Sequence, residues 1–193
     1  SRDRLLALLV WNVAGRNELE VVNLATGERA ALPAPPVELV YGADFAPDGR
    51  HIVLSMAGSN APIDLWQLDL VGNAYTRLTM SPHTGVDLTQ LVRPTLREFK
   101  GHDGLALSGW LYTPPGFKAP GPVVLSFHGG PEGQDRPGFR ADYQALLASG
   151  IAVFAPNIRG SSGFVKAFMQ LDNHAGRFDA NGAALAAEAR VDV

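Results

Sequence analysis

The sequence predicts a mixed fold in two parts, a repeat of short strands over residues 1–85 and a strand–helix–strand arrangement over residues 86–193. Three observations predict it. The first half aligns with itself at a constant offset of about 46 residues. In the second half, an apolar run at 123–127 empties into His128-Gly129-Gly130-Pro131, and a second at 151–155 empties into Pro156-Asn157-Ile158-Arg159-Gly160-Ser161-Ser162-Gly163-Phe164. Between those two runs lies a segment with helical spacing, so a strand, a helix and a strand follow one another within about thirty residues.

Composition narrows the classes. With 46% hydrophobic and 18% charged residues the chain can fill a core. The net charge is -3 and the basic residues are scattered, which argues against a nucleic-acid groove or an anionic-membrane surface. Cysteine is absent, which excludes disulfides, thiolate metal sites and a cysteine nucleophile. Arg2 and Arg4 precede the apolar run 5–10 in the manner of a secretory signal, but the run is too short to span a bilayer and no small-residue cleavage site follows. It reads as a buried strand. Because the chain opens on Ser1 rather than methionine, its natural start is expected upstream, and a cytoplasmic location is the expectation for want of any address.

Strands are expected at 5–13, 19–24, 51–56 and 64–70, with turns at 14–17, 26–28 and Ala46-Pro47-Asp48-Gly49. Leu19 aligns with Leu65, Asn23 with Asp69, Leu24 with Leu70 and Leu32 with Leu78. A period of that length, with several strands per unit and no helical pattern, is that of a β-propeller blade. About two units are present, whereas closure needs at least four, and a plain antiparallel meander is the alternative. Trp11, Phe45, Trp66 and Tyr75 follow the apolar pattern and are expected in the core. His51 has no second ligand at metal spacing, so no metal site is expected.

Residues 81–85 read as a linker, and strands at 93–99 and 105–112 form a hairpin around Lys100-Gly101-His102-Asp103-Gly104. His102 and Asp103 are expected to be solvated loop residues. The run 123–127, bounded by Pro122 and Gly129, reads as a strand buried on both faces, the habit of parallel sheets. Gly129 and Gly130 bare their backbone N–H groups, as an oxyanion hole requires. The plainer alternative is a turn, with His128 an ordinary loop histidine. A helix at 143–149, stopped by Gly150, and a strand at 151–155 complete a βαβ unit. Both glycine-rich loops then lie at carboxyl ends of parallel strands, the edge where open α/β sheets bind ligands. Arg159 could bind a carboxylate there, though tying down its own loop weighs more. Ser161 and Ser162 lack the Gly-x-Ser-x-Gly spacing of an elbow nucleophile.

In these motifs the chain resembles the prolyl oligopeptidase family of serine peptidases, and most of all its acylaminoacyl peptidase branch, over residues 2–179. The resemblance implies a partial β-propeller at 1–85 and the N-terminal part of an α/β-hydrolase domain at 86–193. It implies a peptide substrate, short or N-acylated, cleaved by a Ser-Asp-His triad without a cofactor, and allows a homo-oligomer of the intact protein. By position, Gly130 is similar to the glycine whose N–H supplies half of the oxyanion hole. His128 and Gly129 would shape the loop, and Arg159 to Gly163, Gly160 included, would line the same face. Departures accompany the match. No Gly-x-Ser-x-Gly occurs, so nucleophile, Asp and His are all missing, and the chain alone is expected to be inactive. Residues 181–190 are helix-prone but poor in the acidic mixture usual there, Phe164 stands for a commoner Tyr, and Val165 for a Gly. Two other classes compete. An esterase of the His-Gly-Gly-Gly type would want a glycine at Pro131, and a non-catalytic binding module would use the propeller strands alone.

Overall fold

The computed structural model describes residues 1, 5–101, 103–130 and 132–172. These form two compact units, one of Ser1–Leu91 with Pro137–Phe139, the other of Val92–Arg136 with the described residues from Arg140 onward. Among the described residues no helix is long and apolar enough to cross a membrane.

The first unit holds two antiparallel sheets. Strands β1 (Leu6–Val13), β2 (Arg16–Asn23) and β3 (Arg29–Ala31) lie in the order β1-β2-β3. Strands β4 (Leu39–Phe45), β5 (His51–Gly58), β6 (Ala61–Asp69) and β7 (Ala74–Arg77) make the second sheet in chain order. A two-residue turn joins β1 to β2, with Ala14 at φ 48° and Gly15 at φ 85°. Two consecutive positive φ values match the right-handed twist of the flanking strands. Asn12 Oδ1, accepting from the Gly15 N–H at 3.0 Å, holds the turn.

The repeat seen in the sequence is written in hydrogen bonds. Leu32 N–H donates to Leu19 O at 2.9 Å, and Leu78 N–H donates to Leu65 O at 2.8 Å. Asn23 Oδ1 accepts from Ala25 N–H and Asp69 Oδ1 from Val71 N–H, both at 2.9 Å. Pairing follows suit: Glu20 faces Ala31 as Trp66 faces Arg77, and Val22 faces Arg29 as Leu68 faces Tyr75. Burial does not repeat. Leu19 is 3% exposed, in a core with Ile52, Leu54, Met56 and Leu68, whereas its counterpart Leu65 is 42% exposed. Phe45, Trp66 and Tyr75 pack against that core, but Trp11 does not. It is 47% exposed, because strand alternation turns it to the face opposite Leu8, and its indole N–H donates to Glu20 at 2.9 Å. His51 lies on β5 with its Nδ1 2.6 Å from Asp48 Oδ2.

Strands β8 (Thr95–Lys100), β9 (Ala106–Tyr112), β10 (Val123–Leu125) and β11 (Ala152–Asn157) build the sheet of the second unit, in the order β10-β11-β9-β8. Strands β8 and β9 form the expected hairpin, β9 and β11 are antiparallel, and β10 and β11 are parallel. Helix α1 (Ala141–Ala148) makes the crossover and buries Tyr143 and Leu147 against Trp110, Tyr112, Val153 and Ala155. Gly150, at φ 79°, ends it in a Schellman turn: Gly150 N–H bonds Leu147 O and Ile151 N–H bonds Leu146 O, each at 3.0 Å. One expectation is corrected. The run 123–127 is not buried on both faces: Val123 and Val124 are 38% and 37% exposed, and among the described residues β10 has a strand neighbour on one side only. The buried parallel strand is β11, all six residues of which are buried.

Candidate functional site

The site begins where β10 and β11 end. Ser126 N–H donates to Phe154 O at 2.9 Å, extending the parallel ladder by one bond, and the chain then leaves the sheet. Parallel pairing puts both following loops at the same edge. His128, Gly129 and Gly130 belong to the first loop, Arg159 and Gly160 to the second.

Gly130 is exposed and has φ 121°, a conformation that L side chains rarely adopt. A Cβ there would stand 3.1 Å from Gly133 N, so the loop closes tightly on itself at this point. Among the described residues none accepts a hydrogen bond from the Gly130 N–H. A Cβ on Gly133 would fall 2.4 Å from Gly129 O and 2.8 Å from His128 Nδ1, so a second glycine lets the loop fold back over the imidazole. Pro131 and His102, both part of the sequence reading, lie outside the described residues, as do residues 181–190.

Four contacts bind this loop to the end of β11 and to the loop after it. His128 Nε2 lies 2.8 Å from Ser161 Oγ, and Ser161 Oγ donates its proton to Ile158 O at 2.6 Å. With that proton committed, the hydroxyl can only accept from the ring, so Nε2 carries hydrogen. Ser162 N–H donates to Gly133 O at 2.9 Å. The Asn157 side chain grips the Asp135 backbone on both sides, Oδ1 accepting from its N–H at 2.7 Å and Nδ2 donating to its carbonyl at 3.1 Å. Trp110 Nε1–H reaches the same carbonyl at 3.1 Å. Finally, Gly163, at φ 81°, leaves room for Gln134, whose amide a Cβ would meet at 2.4–2.5 Å.

The Asp135 carboxyl is pushed above its usual range by burial, against the pull of nearby His128 and Arg140. Its Oδ2 is buried with no hydrogen-bond partner among the described residues. Arg159 turns to another neighbour. Its guanidinium makes a two-pronged pair with Asp103, both bonds 3.1 Å, and thereby ties the β8–β9 turn to the loop after β11. Asp103 is therefore more than a solvated turn residue; the guanidinium beside it holds its carboxyl well below the usual carboxylate range. Gly160, at φ 88°, donates from its N–H to Phe168 O at 3.3 Å, tying the loop to the short helix α2 (Lys166–Met169).

Sequence reasoning weighed Ser161 only as a nucleophile and missed it as the partner of His128. It also passed over Asn157. A polar residue closing an otherwise apolar, buried strand is the signal that was there, since a buried amide needs partners. Among the described residues there is no cluster of three or more His, Cys, Asp or Glu able to hold a metal ion.

No family model matches the chain. It is similar to the uncharacterized peptidase YuxL of Bacillus subtilis, 28% identical over 134 residues, which are 68% of this chain and 20% of that protein. It is likewise similar to dipeptidyl aminopeptidase BIII of Pseudoxanthomonas mexicana, 29% identical over 134 residues, 65% of this chain and 19% of that protein. The chain thus spans about a fifth of the length of the curated relatives it matches. Among solved structures, the acylaminoacyl peptidase of Pyrococcus horikoshii superposes with a TM-score of 0.71 at 23% identity, covering 97% of this chain and 29% of that one. Prolyl oligopeptidase B of Galerina marginata, solved with a 35mer hydrolysis and macrocyclization substrate, gives 0.79 at 15% identity, covering 97% and 27%. The relatives and structural neighbours are peptidases of the prolyl oligopeptidase and acylaminoacyl peptidase family, matching in part of their length.

Proposed function

We propose that this chain is part of a serine peptidase of that family, and that its contribution to the chemistry is the oxyanion loop. The two sheets of the first unit are read as consecutive propeller blades, and the second unit as the opening strands of an α/β-hydrolase domain, with the boundary at residues 85–86. The observation that carries the reading is the Gly130 N–H. It stands on a tight glycine turn, at the carboxyl edge of a parallel pair, with no internal acceptor among the described residues.

In such an enzyme a serine attacks the scissile carbonyl while a histidine takes its proton, and negative charge gathers on the former carbonyl oxygen. An N–H held at fixed geometry stabilises that charge more than it stabilises the neutral carbonyl, which lowers the barrier. The triad would come from chain beyond Val193, and a second donor from the residue after the nucleophile. His128 and Gly129 shape the loop and Gly160 shapes its neighbour, while Arg159 is held as a strut by Asp103. Substrates of this reading are short or N-acylated peptides.

Replacing the Gly130 amide by an ester, through semisynthesis of the protein at its full length, removes this one donor and keeps the side chain. We expect kcat to fall about 10²–10³-fold on an acetylated peptide substrate. The 193-residue chain alone should take up no fluorophosphonate, whereas the longer protein should label at one serine. Stoichiometric labelling of the short chain, or an ester variant with unchanged kcat, would overturn the proposal.

A further inference from the structure

We propose that Asn157 is a positioning residue for the Gly130 donor, acting through the loop rather than on substrate; the inference rests on the oxyanion reading of that loop. A donor on a loop is effective only if the loop is fixed before charge develops. The upstream end of residues 128–136 is fixed by β10 and by the bond from His128 to Ser161. Its downstream end pairs with no strand backbone among the described residues and is held by side chains, Trp110 among them. There Asn157 supplies what a neighbouring strand would, an acceptor for Asp135 N–H and a donor for Asp135 O. Asn157 is 2% exposed and ends β11, an internal strand of the sheet, so the grip is anchored in the most buried element of the unit. Ser162 N–H on Gly133 O adds a second hold, from the loop after β11. Between the two ends lie the tight turn at Gly129 and Gly130 and the hold of Ser162 on Gly133. Removing the Asn157 grip leaves Asp135 on the single bond from Trp110, and so loosens the turn about its upstream attachment.

Two variants of the protein at its full length test this. Asn157→Leu keeps the volume and removes both bonds. Asn157→Asp keeps the shape and one acceptor, but sets a carboxylate oxygen against Asp135 O. In both, peptide-resolved hydrogen exchange over residues 128–136 should accelerate about tenfold or more at neutral pH, while β9 and β11 stay protected. On an acetylated peptide substrate kcat should fall about 10²-fold with KM within about twofold, because the donor counts mainly in the transition state. Acidification gives the distinguishing signature. Once the Asn157→Asp carboxyl is protonated it can donate to Asp135 O again, so protection over 128–136, corrected for intrinsic rates, should recover in that variant and not in Asn157→Leu. A role in packing alone gives no such recovery. Unchanged exchange over 128–136 in both variants, or acceleration with unaltered kcat, overturns the inference. If Asn157→Leu does not fold, Asn157→Asp decides. If the unsubstituted protein turns over no peptide, the peptidase reading falls by itself, and the exchange measurements alone decide whether Asn157 holds the loop.

Discussion

Strands β10 and β11 begin alike in sequence and end in different places in the sheet. Both are short apolar runs followed by glycine-rich loops, yet β11 lies between β10 and β9 with every residue buried, while β10 is the edge among the described residues, with Val123 and Val124 more than a third exposed. The loops divide the work in the same way. The one after β11 is a frame, held by Ser161 on Ile158 O, by Gly160 on Phe168 O and by Arg159 on Asp103. The one after β10 hangs from that frame at His128, Gly133, Gln134 and Asp135. An exposed donor can thus be rigid without being buried, provided its neighbour is both.

The sharpest way to break this asymmetry is to remove one apolar side chain from each strand. Phe154 is 2% exposed, stacks edge-on against Phe99 at 5.6 Å and fills the space that Gly109 leaves open. Phe154→Ala should cost about 3–5 kcal/mol of unfolding free energy, from lost transfer and the cavity left behind. Val124→Ala, on the half-exposed edge, should cost about 1 kcal/mol or less. Denaturant titration of both variants measures the contrast, and equal losses would mean that the two strands are not frame and pendant.

Gly163→Ala strains the frame where the hanging loop leans on it. The residue would have to hold φ near 81° and displace the Gln134 amide, which a Cβ meets at 2.4–2.5 Å. Left-handed backbone alone costs about 1–2 kcal/mol, so a loss of about 2 kcal/mol is expected by thermal unfolding. Gly150→Ala is the control. It has a similar φ and no neighbour within 4 Å, and should lose only the backbone part.

How much of this could be read beforehand depends on whether the cause was local. The 46-residue offset is local turn and pairing chemistry repeated, and it returned as matching bonds at Leu19 and Leu65, and at Asn23 and Asp69. The parallel pair followed from two apolar runs and a helix between them. Burial was not legible, because it belongs to the neighbour rather than the residue. Trp11 and Val124 satisfy the apolar pattern and are exposed, one by strand alternation and one on a strand that has a single neighbour among the described residues. Strand β4 escaped notice because Gly42 and a register shift beside it break the alternation. Within the site, the glycines announced themselves by conformation. The grips at Asn157, Ser161 and Asp103 did not, since each joins residues 22, 33 or 56 positions apart and no spacing rule reaches that far.

Ser161→Ala cuts one cord and leaves the frame standing. His128 Nε2–H loses its acceptor, but the ring is only partly buried and water can replace the hydroxyl, so the loss of stability should be about 1 kcal/mol. The informative readout is the imidazole itself. In the unsubstituted protein hydrogen should sit on Nε2, with Nδ1 3.2 Å from Gly129 O, in nitrogen-detected magnetic resonance. In Ser161→Ala the ring nitrogens should show a mixture of tautomers, and an unchanged pattern would remove Ser161 as the group that orients His128.

The smallest effect tests the outermost tie of the frame. Asp103 is exposed and its partner Arg159 is mostly covered, so the pair is screened by water and salt and contributes little. Its sign is still definite. The Arg159 guanidinium, followed by the Leu105 backbone N–H, lowers the Asp103 carboxyl from 3.8 in the folded chain. A folded-state value below the unfolded one means that stabilisation is complete above pH 3.8 and fades as pH falls through the folded value. Comparing the protein with Asp103→Asn across an acid titration should show the parent more stable from neutral pH down to about 4, with the gap closing below that. The gap should also shrink in molar salt, because the group is exposed. A gap that widens on acidification would mean that Asp103 sits beside negative charge rather than against Arg159, and the β8–β9 turn would then lose its place in the frame.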